Sequence, residues 1–289
     1  MRWERGKRYG NVEDRRGMRV GVAGGGVGVV VLGLIGYFFF GLDPNMVMEA
    51  ANQFAPATQE QGKVGSPTDK MGQFVDAVVS STTDVWTDQF AKAGATYEPP
   101  NPVVIYEQAT GTQCGLGQAA MGPFYCPRDR RVYIDLQFYQ ELSDRFGAPG
   151  DFAQAYVLAH EIGHHVQTLL GTSAKVRQAQ ESAGSQTAAN RYSVAMELQA
   201  DCYAGVWAGN VGQVTGGRVD LDPGDLEEGL RAAQAIGDDT LQRSTQGQVM
   251  PDSFTHGTSE QRVTWLRRGF STGKPSACDT FSELLGRKL

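Results

Sequence analysis

DFAQAYVLAHEIGHHVQTLLG, residues 151 to 171, is the stretch on which the reading of this chain turns. Asp151 is a helix-capping residue type and Gly171 a stop, so the spacing predicts one helix from Asp151 to about Leu170. At 100° per residue, Leu158, Ile162, Val166 and Leu169 fall in one stripe about 80° wide, and His160 and His164 fall nearly opposite it. Such a helix turns an apolar back to a core and a histidine face to a cleft. One turn apart on the same side, both imidazoles can reach a single ion, with Glu161 beside them and close to any water held there. His160-Glu161-Ile162-Gly163-His164 has the H-E-x-x-H spacing that binds zinc through its histidines. From the chain's own composition, matches by chance are expected on the order of 0.003 times. Three of the four histidines also fall in this one run. Accident is a poor explanation.

Two histidines leave a catalytic zinc site short of a protein ligand. Glu197, in Glu197-Leu198-Gln199-Ala200-Asp201, is the best-placed candidate, on a second predicted helix. Asp201 lies one turn further on the same face, where it can accept from the N–H of a ligating histidine and so fix the ring and its tautomer. Ala200, Ala204 and Gly205 let this helix approach the first closely. The plain alternative for both acids is a solvated helix face. His256, in the run Thr255 to Arg262 (THGTSEQR), is the remaining histidine. It is a candidate donor to a developing oxyanion, against the alternative of a surface-loop residue. Arg262 is a candidate for orienting it or for binding substrate. His165 points away from the His160–His164 face and reads as packing.

Five stretches, in order and spanning nearly the whole chain, closely resemble the bacterial neutral zinc metallopeptidase family. They are NVEDRRG (Asn11 to Gly17), GPFYCP (Gly122 to Pro127), HEIGHHVQ (His160 to Gln167), ELQADCYAGVW (Glu197 to Trp207) and THGTSEQR. The resemblance implies a zincin-type fold, a single N-terminal membrane span and a glutamate as third zinc ligand. The assignment of that role to Glu197 rests on it.

The expected fold class is α+β: a mainly helical zincin-like domain with a small β-sheet, preceded by one transmembrane helix. Val20 to Leu42 is 23 residues without a charge, long enough as a helix to cross a hydrocarbon core of roughly 30 Å. Seven Arg and Lys residues precede it, so the positive-inside rule puts a basic tail, residues 1–19, in the cytoplasm and everything after 42 across a bacterial cytoplasmic membrane. A linker over 43–69, with a short helix near Met46 to Phe54, leads to a domain over 70–289. Strands are expected at Pro102 to Tyr106, Pro123 to Cys126 and Arg131 to Asp135. Helices are expected from Lys70 to about Gly94 and at Gln137 to Phe146, Lys175 to Gln180, Arg191 to Ala208, Asp225 to Ile236 and Ser259 to Phe270. All four cysteines follow the apolar segment. Of their three pairings, Cys114 with Cys126 would staple a Gly-rich loop and leave Cys202 with Cys278.

A net charge of -6 without a basic run in the body of the chain argues against nucleic acid as partner. The function these residues support is zinc-dependent hydrolysis of a peptide or protein substrate, with one zinc ion per chain and Glu161 as general base. Substrate would lie along a strand edge near Gly122 to Cys126. The alternative is a non-catalytic zinc-binding interaction or assembly domain, with its cleft occluded by the segment Gly171 to Asn190. Glu161 would be useless to a purely structural site.

Overall fold

The computed structural model describes residues 1–18 and 61–287. Short runs rich in β-branched and aromatic residues build the sheet: β1 (Val12–Asp14), β2 (Lys63–Val64), β3 (Val103–Tyr106), β6 (Phe124–Cys126) and β7 (Arg131–Asp135), with a separate hairpin of β4 (Ala109–Thr112) and β5 (Gly115–Gln118). The five-stranded sheet has the order β2-β1-β3-β7-β6. Its three inner strands are parallel, and β2 and β6 run antiparallel along the edges. The period of two in a strand divides β3 and β7 between two cores. Val103, Ile105, Val132 and Ile134 join the main core with the helices. Val104, Tyr106, Tyr133 and Cys126 form a smaller one on the other face. Because both faces are covered, β3 reads as an unbroken apolar run rather than an alternating one. The Cys114–Cys126 disulfide ties the tip of the β4–β5 hairpin to the edge strand β6.

The N-terminal residues belong to this domain. Val12, Glu13 and Asp14 pair with Val103, Val104 and Ile105 on one side, and Glu13 and Asp14 with Val64 and Lys63 on the other. Trp3 is buried and meets Phe74 edge-on at 5.3 Å. The Met1 amine donates to Asp151 at 2.7 Å. Beneath β1, Glu13 and Arg15 form a buried ion pair at 2.7 Å; Arg15 also donates to Thr110, and Arg131 reaches the second Glu13 oxygen.

These contacts overturn the single-pass arrangement. Among the described residues no helix is long and apolar enough to cross a membrane, and the stretch 20–42 lies outside them, as does the short helix expected near 46–54. Residues 12–14, before that stretch, share a sheet with residues 63–64 and 103–106, after it. A single crossing between them would separate bonded strands by a bilayer. The cytoplasmic tail and the extracytoplasmic placement of the domain fall with it, and Lys63–Val64 is a strand rather than linker. The cations that suggested a positive-inside tail are engaged within the fold: Arg2 with Asp220 and Asp222, Lys7 with Asp84, Arg16 with Asp14 and Asp69.

The helices are α1 (Lys70–Lys92), α2 (Gln137–Asp144), α3 (Asp151–Leu169), α4 (Thr172–Glu181), α5 (Gln186–Val214), α6 (Asp225–Ala235), α7 (Asp238–Gln246), α8 (Ser259–Thr272) and α9 (Thr280–Leu285). The segment expected to be an occluding loop is α4 and the start of α5, and Val176 of α4 packs with Tyr192, Ala195 and Phe281. Asp151 is not the cap of α3 but its first residue, its carboxylate spent on the Met1 amine. Leu158, Ile162 and Val166 are fully buried, and so nearly are His160 and Glu161. The helix is central, with core on more than one side.

Small residues set how closely α5 meets its neighbours. A Cβ at Gly163 would lie 3.1 Å from the Ala200 carbonyl, so α3 and α5 nearly touch between His160 and His164. A Cβ at Gly269 would lie 1.9 Å from the Cys202 carbonyl, and one at Gly205 2.2 Å from that of Leu266. Backbone cannot swing aside as a side chain can. Gly269→Ala should therefore cost about 3 kcal/mol, the upper range for overpacking, read as a shift in urea unfolding; a loss below about 1 kcal/mol would contradict this α5–α8 contact.

Candidate metal centre

Helix periodicity puts His160 and His164 on one side of α3, with ring centroids 4.8 Å apart. The close approach at Gly163 and Ala200 then brings α5 over them. Glu197 Oε2 lies 3.1 Å from His160 Nε2, and Glu197 Oε1 lies 3.4 Å from His164 Nε2. One ligand atom from each of these three residues falls within 4.8 Å of the others. His164 and Glu197 are partly open to solvent, with 12% and 20% of their side chains exposed, whereas His160 lies deeper at 8%. The opening of the site is on the His164–Glu197 side. Asp151, Asp225 and Glu228 form a second acidic cluster, but the Met1 amine already sits on its two aspartates.

Behind the site is a closed polar network. His160 Nδ1 donates to Asp201 Oδ1 at 2.8 Å, and Tyr156 Oη donates to the same oxygen at 2.6 Å. Arg262 clamps Asp201 from the other side, with Nε to Oδ2 at 2.8 Å and Nη2 to Oδ1 at 2.9 Å. Its remaining nitrogen donates to the Ile236 carbonyl. A carboxylate only accepts, so His160 Nδ1 carries a proton toward Asp201, and Nε2 is the nitrogen that faces Glu197.

Electrostatically, this pocket favours positive charge. Burial alone would lower the pKa of His160, but Asp201 and Glu197 outweigh it and lift it to about 10. Burial would raise Asp201, and the Arg262 and His160 charges pull it down to about 2. Glu197 is held well below its ordinary value by the histidines, against burial. Glu161 goes the other way: burial pushes it up, and the histidines offset this only in part.

His256 stands apart from the ligand cluster, with 46% of its side chain exposed. It is near enough to Glu197 for the charges to act on each other. Arg262 does not orient it. That task falls to Asp238, whose Oδ2 accepts from the backbone N–H groups of Thr255, His256 and Gly257, while Oδ1 faces His256 Nδ1 at 3.3 Å. The Asp238 carboxylate raises the pKa of His256 above the ordinary histidine value. His165 is buried in packing: Nε2 donates to the Glu98 carbonyl, and Nδ1 meets Tyr125 Oη at 3.1 Å. The Cys202–Cys278 disulfide anchors α5 near Asp201.

Sequence reasoning missed Tyr156 and Asp238. Tyr156 is four residues before His160, so helix spacing could have found it. Asp238 has no such signal, because a tertiary fold brings it to His256.

Residues 1–281 match the family described as "Putative neutral zinc metallopeptidase". This chain belongs to that family. The neutral zinc metallopeptidase family implies zinc, and among the described residues His160, His164 and Glu197 are the mixed histidine–carboxylate group able to take it. Similar proteins include the uncharacterized protein YpfJ of Escherichia coli K12, 48% identical over 297 residues, covering 98% of this chain and 99% of YpfJ. The uncharacterized protein Rv2575 of Mycobacterium tuberculosis H37Rv is 46% identical over 186 residues, covering 62% of this chain and 61% of that one. No solved structure matches the chain.

The donor set fits zinc by a distance test. Ligands about 2.0–2.1 Å from a tetrahedral ion stand roughly 3.3 Å from one another. The separations here, 3.1 Å from His160 Nε2 to Glu197 Oε2 and 3.4 Å from His164 Nε2 to Glu197 Oε1, lie close to that value.

Proposed function

We propose that the chain is a zinc-dependent peptidase that holds one zinc ion per chain through His160 Nε2, His164 Nε2 and Glu197. The observation that carries this reading is the convergence of those three groups, each histidine Nε2 within 3.4 Å of a Glu197 oxygen, beside the buried Glu161. Zinc bound there supplies Lewis acidity, making water nucleophilic near neutral pH and polarising a carbonyl. Glu161 takes the proton of the attacking water and passes it to the leaving amine nitrogen. Its upward-shifted pKa suits both halves of that task. His256, with Nδ1 engaged by Asp238, donates from Nε2 to the oxyanion of the scissile carbonyl. Asp201, fixed by Arg262 and Tyr156, keeps His160 in the ligating tautomer. An extended substrate adds to β6, an edge strand among the described residues. Tyr125 of that strand reaches His165, the residue following His164, which places the edge beside the metal helix.

The test is metal removal from the full chain, since residues 1–18 are part of the fold. The purified protein should carry about one zinc and cleave an unfolded protein substrate. A chelator should abolish both, and added zinc should restore both while other divalent ions such as Mg²⁺ do not. A folded chain that takes up no zinc would sink the ligand set. Zinc without cleavage would instead favour the non-catalytic binding domain.

A further inference from the structure

Gln167 is fully buried, and its amide faces the second candidate ligand. Its Oε1 lies 2.8 Å from His164 Nδ1, and its Nε2 donates to the Met196 carbonyl at 2.7 Å and to Gln199 Oε1 at 3.1 Å. Gln199, also buried, donates from Nε2 to the Cys278 carbonyl at 2.9 Å. The direction of this relay is forced. Backbone carbonyls only accept, so Cys278 orients the Gln199 amide and Met196 orients that of Gln167. The Gln167 oxygen left facing His164 can only accept. His164 therefore carries a proton on Nδ1, which leaves Nε2, the atom 3.4 Å from Glu197, as the nitrogen able to ligate.

We infer that Gln167 is a positioning residue for His164, set in orientation by the Met196 carbonyl and by Gln199; this rests on the reading of His160, His164 and Glu197 as zinc ligands. Packing alone would not require two buried amides to be satisfied in one consistent direction, since apolar side chains of the same size fill space at no desolvation cost. The two histidines are thus held by different chemistries, His160 by a carboxylate and His164 by a neutral amide. The neutral partner matters for charge. Glu161, Glu197 and Asp201 already face the site with Arg262 as the buried cation beside them, and a fourth acid would deepen the imbalance.

The experiment compares the full chain with Gln167→Met and Gln199→Met. Zinc affinity is measured by chelator competition, folding by circular dichroism, and the His164 Nδ1 proton by NMR of the zinc-loaded protein, where only four histidines contribute. Gln167→Met should weaken zinc binding by about 10- to 100-fold and expose the His164 Nδ1 proton to rapid exchange. Gln199→Met, which keeps the Gln167 acceptor and its Met196 bond but removes the second partner of that amide, should weaken binding by about threefold or more. A folded Gln167→Met that binds zinc within twofold of the parent, with that proton unchanged, overturns the positioning role and leaves the ligand set standing. If Gln167→Met does not fold, Gln199→Met decides by the same two readouts. A parent chain that binds no zinc overturns the ligand set, and the inference with it.

Discussion

Glu161→Gln should keep about one zinc per chain and lose peptide hydrolysis by about 10²- to 10⁴-fold, the range for removing a general base. The substitution preserves size and leaves His160, His164 and Glu197 in place, so metal binding and chemistry separate cleanly. Folding should not suffer. Burial pushes the Glu161 carboxyl above its ordinary value, which means the fold is working against its charge, and a neutral amide removes that cost. The variant should thus unfold at the parent's temperature or slightly higher. Zinc content by mass spectrometry, thermal unfolding and cleavage of an unfolded substrate decide the matter together. Equal cleavage by parent and variant would mean that Glu161 is not the base. Loss of zinc along with activity would mean that Glu161 helps to hold the ion, which the separation of its role from the three ligands does not allow.

The spacing of His160 and His164 was legible because one helical turn fixes it, whatever surrounds the helix. So were β3 and β7, whose VVIY and RVYID runs are short, β-branched and sharply bounded. The approach of Glu197 could be guessed from the small residues of α5, but its distance from the histidines is a tertiary quantity. The polar elements were not legible. α7, DDTLQRSTQ, has almost no apolar residue to mark a face, yet its Asp238 holds the His256 loop. The largest misreading was β1. Its sequence is Val-Glu-Asp in a run of arginines, which locally resembles a solvated tail. Its burial depends on Arg15 and Arg131 meeting Glu13 and on pairing with a strand some ninety residues later. No local pattern encodes that pairing.

That misreading has the second large consequence: the chain without residues 1–18 should not form the native domain. Deletion strips β1 from between β2 and β3, removes Trp3 and Val12 from the main core, and leaves Arg131 without its buried carboxylate. A total stability of about 5–15 kcal/mol, normal for a folded domain, does not survive the loss of an inner strand. Point variants give the graded form of the same prediction. Burial would raise the Glu13 pKa, and Arg15 with Arg131 holds it below the ordinary value instead. Glu13→Gln therefore strands two guanidinium groups, one of them buried, and should cost about 3–5 kcal/mol, as breaking a buried ion pair does. Urea unfolding of the point variant and size-exclusion of the truncated chain make the comparison. A truncated chain that unfolds cooperatively at the parent's midpoint would show that β1 is not in the sheet. Residues 12–14 would then be free of residues 63–64 and 103–105, and a single crossing between residues 18 and 61 would no longer part bonded strands.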